Sequence, residues 1–460
     1  MNDFTTVTAD TLNRAVKIAL DTGEVGSIED AYRLFQTYRL GIYISAEAAS
    51  SPAHQAALLT MVNIGRRSLL GGVSVTGAVD VSLGIDQVGG FATLAEAIVA
   101  LGGEVVDALP DNVPTLILGD DAFETAGIAL KVTFGDWRSA VIPAGENGPV
   151  QAEQPNAILP AICAAALGVS EIFQHLRGNP YAGRRTVGFS LWHIDSPDWE
   201  NAPVGPSDYV VPARLWLIGL GHLGQAYLWV LGLLPYADAG AVQLTLQDFD
   251  RLTLSNDSTS VLTTATQVGR RKTREMARWV EARGFSAKLV ERRFTGDIVL
   301  QPDDARVALC GVDNLEARAA LEQPAFDLVV EAGLGAGPSE FLAMRLHIFP
   351  SSLNARERWA SSGERAASAN EDAPSYTRLA EQGMDHCGLV QLASRTVGAP
   401  FVGVFAACIA ITEVIKRLNG AKGFEVVDLS LSDLSGREVV SAPIAMTGFN
   451  PGFAELRRGI

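Results

Sequence analysis

Cysteine is scarce in this sequence, which argues against both a disulfide framework and a zinc ribbon. The four cysteines, Cys163, Cys310, Cys387 and Cys408, lie far apart among 460 residues and form no CxxC pair. A secretory leader is not expected either, because the opening residues MNDFTTVTADTLNRAV contain no basic region and no apolar run. We therefore expect a cytoplasmic protein.

Positive charge is also in short supply. The chain has 36 Lys and Arg against 52 Asp and Glu, a net charge of −16, and an acidic surface repels phosphate backbones and anionic lipids. Nucleic acid and membranes are therefore not expected partners. No Asp, Glu, Lys or Arg lies between Arg214 and Asp238, but the glycines and Pro235 of this stretch predict a strand, a glycine turn and a buried helix, not a membrane span.

The organisation of the chain predicts two α/β domains. Residues 1–195 combine helical patterns with a short apolar strand at 115–118, and residues 196–212 concentrate Pro, Gly and acids as a linker does. From 213 to 440 strand and helix patterns alternate, which predicts a doubly wound, mostly parallel sheet. Residues 441–460 are interpreted as a tail.

Within the second domain, residues 351–387 form a segment of different composition. The segment is rich in Ser, Ala, Arg and Glu and has few large apolar residues, which predicts a mobile, solvent-exposed excursion. Cys387 closes it.

Two apolar helical patterns resemble each other. Residues 164–178 and 406–420 align without a gap. Duplication of a domain explains this pattern, and so does the chance likeness of two buried helices that end on glycine. Three residue pairs share the offset of 242 positions: Ala164 and Ala406, Glu171 and Glu413, Gly178 and Gly420.

The clearest motif is GxGxxG, formed by Gly219, Gly221 and Gly224 between a predicted strand and a predicted helix. Glycines at this position let a phosphate approach the backbone and the helix N-terminus. The next strand ends in Asp248-Phe-Asp250, where a carboxylate binds a ribose hydroxyl. These two motifs predict an adenine nucleotide and fit NAD and ATP equally well.

The motifs that follow favour a triphosphate. Lys272 in VGRRK is suited to neutralise a phosphate, and Asp313 in CGVDN, after a predicted strand, is suited to hold Mg²⁺. Two simpler interpretations stay open: Lys272 as a solvated charge among arginines, and Asp313 as the N-cap of the following helix.

In order and spacing, GLGHLG, DFD, SN, VGRRK and GVDNLEAR resemble the superfamily of ThiF, MoeB and ubiquitin-activating enzymes. The layout is similar to the activating enzymes of bacterial ubiquitin-like conjugation operons of the Bil type. The resemblance implies adenylation of the C-terminus of a ubiquitin-like protein with ATP and Mg²⁺. It further implies these roles: ATP contacts from Gly219, Gly221 and Gly224, ribose binding by Asp248, phosphate contacts from Asn256 and Lys272, and Mg²⁺ binding by Asp313.

The sequence departs from the family pattern in two respects. The arginine that usually follows Ser-Asn is replaced by Asp257-Ser258-Thr259-Ser260, and the zinc-binding cysteine pairs of ThiF and MoeB are missing. In the family adenylation halves work in pairs, and in eukaryotic ubiquitin-activating enzymes an inactive half supplies an arginine to the active half. We therefore interpret residues 1–195 as a degenerate adenylation half, with Arg66 and Arg67 as the candidate donors. The alternative is a basic pair at the end of a helix.

The resemblance also implies a later step and partners. Cys387, placed as a crossover-loop cysteine is in the family, is predicted to accept the acyl group as a thioester and pass it to a protein resembling a ubiquitin-conjugating enzyme. The expected assembly is a tandem pseudo-dimer or a homodimer of it. Two other functions stay open: an NAD-dependent oxidoreductase, and a scaffold that binds nucleotide without catalysis.

Overall fold

The structure is a computed structural model that describes residues 8–85, 90–119, 123, 125–146, 157–360, 374–381, 386–442 and 452–457. These residues form two α/β domains, one before and one after the predicted linker. The predicted fold class is confirmed.

The elements of the first domain are α1 (Lys17–Asp21), α2 (Ile28–Gln36), β1 (Arg39–Ile44), α3 (Ala46–Ser50), α4 (Pro52–Ser68), β2 (Gly72–Gly77), α5 (Leu94–Ala100), β3 (Glu104–Val105), β4 (Thr115–Leu118), β5 (Ala129–Gly135), β6 (Arg138–Pro143), α6 (Ile158–Leu176) and β7 (Val187–Ser190). Their sheet has the order β3-β2-β1-β4-β5-β6-β7. The first five strands in this order are parallel, and β6 and β7 are antiparallel to their neighbours.

The elements of the second domain are β8 (Val211–Pro212), β9 (Arg214–Ile218), α7 (His222–Leu233), β10 (Gln243–Gln247), α8 (Lys272–Glu281), β11 (Ser286–Val290), β12 (Val307–Cys310), α9 (Leu315–Ala319), β13 (Leu328–Leu334), β14 (Ala343–Phe349), α10 (Ala355–Ala360), α11 (Pro374–Glu381), α12 (His386–Ser394), α13 (Pro400–Leu418), β15 (Phe424–Ser430), β16 (Asp433–Ser441) and β17 (Phe453–Ala454). The sheet order is β11-β10-β9-β12-β13-β14-β15-β16. The first five strands in this order are parallel, and β14, β15 and β16 are antiparallel to their neighbours.

The two sheets share one topology, because β1 to β7 occupy the places of β9 to β15. Helix α6 spans residues 158–176 and α13 spans 400–418, so the offset of 242 positions holds at both ends. This agreement supports duplication. Helices α4, α6, α7 and α13 pack against one another between the sheets, and their buried residues belong to one hydrophobic core that spans both domains.

The predicted linker and the predicted tail both attach to the folded body. Trp137 Nε1 donates to the carbonyl of Pro206 in the linker at 2.9 Å. Strand β17, in the tail, pairs with β8 at the end of the linker.

The charge-free stretch folds as predicted, into β9, a glycine turn and α7. Among the described residues, one helix, Ile158–Leu176, is long and apolar enough to cross a membrane, and 94% of its most apolar window is buried in the protein. A core helix passes that test as readily as a membrane span.

The segment 351–387 needs a correction. Its described parts contain α10, α11 and the start of α12, and Trp359, Tyr376 and Leu379 are buried. A few well-spaced apolar residues are enough to anchor short helices, which the polar composition concealed. Residues 361–373 and 382–385 and the side chain of Cys387 lie outside the described part of the chain, so mobility stays a prediction there.

Candidate functional site

A cavity of about 820 Å³ opens at the carboxyl ends of β9, β10 and β12. Strand order reverses between β9 and β12, which is where open α/β sheets bind ligands. The volume is typical of small-molecule sites, which span roughly 300–1,000 Å³. The predicted residues that line it are Gly219, Gly221, Asp248, Asp250, Asn256, Lys272 and Asp313.

The glycine turn is built for close approach of a ligand. Gly219 has φ +86°, a conformation that favours glycine, and a Cβ there would lie 2.8 Å from Val312 Cγ1. A Cβ on Gly224 would lie 2.0 Å from the Gly219 carbonyl oxygen, so side chains are excluded at both positions. A Cβ on Gly221 would meet nothing within 4 Å, and that backbone is open to the cavity. The cradle therefore fits a phosphate group.

The carboxylate of Asp248 is fixed against this turn. Its Oδ2 accepts from the amide of Leu220 at 2.7 Å, and its Oδ1 accepts from the amide of Asp250 at 2.8 Å. The side chain is only 7% exposed. Asp248 thus presents a fixed acceptor beside the glycine turn, which suits a ribose hydroxyl.

Lys272 and Asn256 lie on the neighbouring wall. Lys272 Nζ donates to Asp250 Oδ2 at 2.9 Å and lies 3.9 Å from Asp248 Oδ2. It is therefore a paired cation inside the cavity, and the interpretation as a solvated charge is wrong. Asn256 Oδ1 accepts from the amide of Thr253 at 2.9 Å, which holds the short turn Leu254–Ser258 against the cavity.

The helix that follows Asp313 is capped by its neighbour. Asn314 Oδ1 accepts from the amide of Ala317 at 2.9 Å, so Asp313 is not the N-cap. No hydrogen bond joins its exposed carboxylate to the described residues. The described residues contain no cluster of three metal-ligating side chains. Mg²⁺ often binds through one carboxylate, water and substrate phosphates, and Asp313 fits that mode.

Arg14 enters the cavity from the first domain. The segment before α1 crosses to the second domain, where the Arg14 amide donates to Ser258 Oγ at 3.2 Å and its guanidinium donates to Thr396 Oγ1 at 3.2 Å. Burial and the charge of Arg395 lower the pKa of Arg14, whereas Asp313 and Asp10 raise it. Its Nε is buried without a hydrogen-bond partner in the described structure. Arg14 is thus the arginine that the first domain brings to the site.

The two predicted donor arginines lie elsewhere. Arg67 is buried and donates to the carbonyls of Val261 and Thr263, both at 3.0 Å. Arg66 lies 2.9 Å and Arg67 2.5 Å from Asp257 Oδ1. Neither lines the cavity. Arg66 and Arg67 therefore clamp the turn that carries Asn256 onto the first domain, and as arginines donated to the cavity the prediction is wrong.

Phe249, His222 and Arg293 are among the residues of the cavity wall that sequence reasoning missed. Phe249 is 41% exposed, and the Arg293 guanidinium lies 4.6 Å from the centre of its ring. Burial and the charge of Arg14 lower the pKa of His222 to about 3, so this histidine is neutral. Phe249 lies inside the DFD motif, so an aromatic residue beside the predicted ribose-binding Asp248 was the available signal. No local pattern pointed to Arg293.

The cavity is basic, although the chain is acidic. Eight basic and four acidic residues line it within the described part of the chain, against an excess of acids in the whole sequence. A polyphosphate is attracted to such a surface.

The described thiols are all buried. Burial raises the pKa of Cys163 and of Cys310 to about 12, and it also raises the pKa of Cys408 well above the ordinary value of a thiol. A thiol with a raised pKa is a poor nucleophile at neutral pH. Cys387 is the second residue of α12. Its side chain lies outside the described part of the structure, so its reactivity stays a prediction.

The fold and the site define an α/β protein of two like domains, with a glycine turn suited to a phosphate group in the second. Models described as the BilD N-terminal domain and the BilD C-terminal domain match residues 39–191 and 211–421. A relative named Bacterial E1-like protein BilD, from Collimonas sp. (strain OK412), is 44% identical over 431 residues, 93% of each chain. The chain belongs to the BilD family, and the resemblance to Bil-type E1-like proteins is confirmed.

Solved structures are more distant. PaaA is 18% identical with a TM-score of 0.33, over 50% of this chain and 72% of that chain. E. coli MccB is 12% identical with a TM-score of 0.36, over 70% of this chain and 96% of that chain. Likeness at this level carries no functional argument.

Proposed function

We propose that the chain uses ATP to adenylate the C-terminal carboxylate of a ubiquitin-like protein. The observation that carries the proposal is a basic cavity at the glycine turn, completed by Arg14 from the other domain. A relative at 44% identity is named E1-like, which supports the same chemistry.

We assign residues of the cavity wall to each part of a bound Mg²⁺–ATP. Gly219 and Gly221 accommodate phosphate, Asp248 binds the ribose, and the exposed ring of Phe249 stacks on adenine. Lys272 of the second domain and Arg14 of the first neutralise phosphate oxygens. Asp313 holds Mg²⁺, whose chemistry is to offset charge on the phosphates.

In the proposed reaction the terminal carboxylate oxygen attacks the α-phosphorus of ATP. The new bond is an acyl–phosphate bond, and the bond from the α-phosphorus to the bridging oxygen breaks, so that pyrophosphate leaves. The protein contributes by orienting the reactants and by stabilising charge that develops on the leaving group. Arg14 and Lys272 are the fixed cations for that charge.

The proposal extends to a thioester on Cys387. Attack of its thiolate on the acyl-adenylate would form a thioester and release AMP, after which a conjugating-enzyme-like protein accepts the acyl group. The three buried thiols are poor alternatives because their pKa values are raised. We also propose a cytoplasmic location, and a tandem pseudo-dimer or a homodimer of it as the assembly.

ATP–pyrophosphate exchange with a ubiquitin-like protein from the same bacterium tests adenylation. We expect exchange by the wild type, and a rate lower by about tenfold to a hundredfold in Lys272→Ala, the loss expected for a charged hydrogen bond. Lys288→Ala is the matched control, because Lys288 pairs with Asp304 outside the cavity. ATP binding without exchange would favour a scaffold, and NADH binding without ATP binding an oxidoreductase.

A non-reducing gel tests the thioester. A thiol-sensitive adduct with the ubiquitin-like protein is expected in the wild type and in Cys163→Ala, but not in Cys387→Ala. An adduct that survives in Cys387→Ala contradicts the assignment.

A further inference from the structure

A buried network of charged side chains lies directly behind the Asp313 loop. Arg318 Nε donates to the carbonyl oxygen of Val312 at 2.8 Å. The same nitrogen lies 3.0 Å from Glu331 Oε1. Since Nε carries a single hydrogen, the second contact is an ion pair and not another hydrogen bond. Arg318 therefore links the residue before Asp313 to the adjacent strand β13.

Glu331 is held from the other side as well. Its side chain is 0% exposed, and its Oε2 lies 2.9 Å from His347 Nδ1. His347 is the register partner of Glu331 on β14, and its ring meets Trp359 of α10 edge-on at 5.1 Å. The carboxylate thus has His347 of β14 on Oε2, whereas Oε1 is paired with Arg318 of α9 by charge and has no hydrogen bond in the described structure.

This enclosure fixes the guanidinium. A buried carboxylate is costly unless its partners hold a set geometry, so Glu331 restricts Arg318 to one position. A second donor acts on the same loop, because Tyr227 Oη donates to the carbonyl of Cys310 at 3.1 Å. Tyr227 and Arg318 therefore hold the backbone carbonyls of Cys310 and Val312. The exposed carboxylate of Asp313 belongs to the next residue.

We propose that Arg318 and Glu331 are positioning residues that set the orientation of Asp313 for a Mg²⁺–nucleotide complex. The inference rests on the proposed function, since it assigns Asp313 to the metal. Neither residue needs to touch the metal. Residues that orient a metal ligand through hydrogen bonds typically change metal affinity about tenfold to a hundredfold when replaced.

The experiment measures nucleotide binding by calorimetry instead of turnover. ATP affinity is measured in Mg²⁺ and in EDTA, and AMP affinity in EDTA, for the wild type, Glu331→Gln and Arg318→Lys. We expect the gain in ATP affinity from Mg²⁺ to fall by about tenfold or more in both variants. AMP affinity should be unchanged in Glu331→Gln, because Glu331 does not line the cavity. Asp313→Ala should remove the gain completely.

A matched control is available in the same pair of strands. Arg306 and Asp327 form an ion pair of 2.9 Å with side chains 41% and 40% exposed, at the opposite ends of β12 and β13 from Asp313. Arg306→Met should leave the Mg²⁺ effect unchanged, because this pair is exposed and distant from the cavity.

The outcomes separate the two proposals. An unchanged Mg²⁺ effect in both variants overturns the positioning role alone, and so does an equal loss of AMP and ATP affinity, which means general damage to the fold. Should Glu331→Gln fail to fold by thermal melting, Arg318→Lys decides the matter, because lysine keeps the charge opposite Glu331 but has no Nε–H. A wild type that binds no ATP overturns the proposed function as well.

Discussion

The two domains share a strand order but differ where their first strands end. After β9 comes Gly219, which turns with positive φ beside Gly311. After β1 comes Ser45, whose Oγ accepts from the amide of Ala48 at 3.2 Å and starts α3. A Cβ on Gly119, the counterpart of Gly311 after β4, would lie 2.1 Å from Ser45 Oγ. The space beside the glycine turn of the second domain is filled by Ser45 in the first domain.

The second strands differ in the same way. Strand β10 is followed by Asp248, bound to the glycine turn, whereas β2 ends at Gly77 with φ +113°. Neither the sheet nor its helices make the site, since both domains have them. A few residues at the strand ends make it, which is why a fold alone does not define a function.

What the two domains share is structural. Glu413 on α13 accepts from the amide of Phe424 at 3.0 Å, and Glu171 on α6 accepts from the amide of Gly183 at 3.0 Å. Each buried carboxylate fixes the chain between the helix and the antiparallel strand that follows it, β7 in the first domain and β15 in the second. The repeated sequence pattern thus marks packing and not chemistry.

The largest expected effect concerns this shared pair. Glu413 is 0% exposed and holds Arg417 at 2.5 Å and Lys416 at 3.1 Å, both nearly buried. Glu413→Ala leaves two buried cations unpaired and should cost about 3–5 kcal/mol in the free energy of unfolding. Arg185, the partner of Glu171, is 32% exposed, so Glu171→Ala should cost only about 1–3 kcal/mol. Urea denaturation measures the free energy of unfolding of both variants. A larger loss in Glu171→Ala than in Glu413→Ala would contradict this prediction.

The next effect concerns the two aspartates that follow β10 and β12 in the second domain. Asp248→Ala and Asp313→Ala should each lower ATP–pyrophosphate exchange by roughly tenfold to a hundredfold, the loss of about 1.5–3 kcal/mol for a charged hydrogen bond. Asp80→Ala is the matched control, because Asp80 is exposed and follows β2, the counterpart of β10. Normal Mg²⁺-dependent exchange by Asp313→Ala would falsify the metal assignment.

A third prediction defines what the first domain adds to the site. Arg14→Ala should lower exchange about tenfold, since each 1.4 kcal/mol of lost phosphate interaction is tenfold. Arg66→Ala breaks a half-buried ion pair outside the cavity and should change stability by less than about 1 kcal/mol, with near-normal exchange. A loss of exchange in Arg66→Ala but not in Arg14→Ala would restore the original donor.

The smallest effect is a pH dependence of the contact between the domains. Burial opposes ionisation of Asp257, but Arg66 and Arg67 outweigh it and hold the pKa of Asp257 below 3.8. A lowered folded-state pKa gives stability above pH 3.8 that is lost as pH falls through the folded value. Melting temperatures measured from about pH 5 down to pH 3 should fall less steeply in Asp257→Asn than in the wild type. An equally steep fall in the melting temperatures of the two proteins would show that Asp257 does not contribute to this pH dependence.

Much of the second domain was predictable because its signals are local. The glycine turn, Asp248 and Asp313 stand at strand ends that the alternating pattern already marks, and parallel strands bring those ends to one edge. The segment 351–387 was harder, because Tyr376 is buried by a contact with Asp21, from its Oη to Oδ1 at 2.5 Å, across 355 positions. Composition measures a segment's own residues and not the surface it packs on.

The sequence alone determined the fold class, the glycine turn and the acidic strand ends, because backbone conformation and hydrophobic periodicity are properties of neighbouring residues. Only the tertiary structure decided which arginine of the first domain lines the cavity. Arg66 and Arg67 lie in the last turn of α4, where both pair with Asp257, whereas Arg14 contacts Ser258 across 244 positions. No local sequence pattern predicts the contact between Arg14 and Ser258, because it depends on how the two domains pack through their shared core.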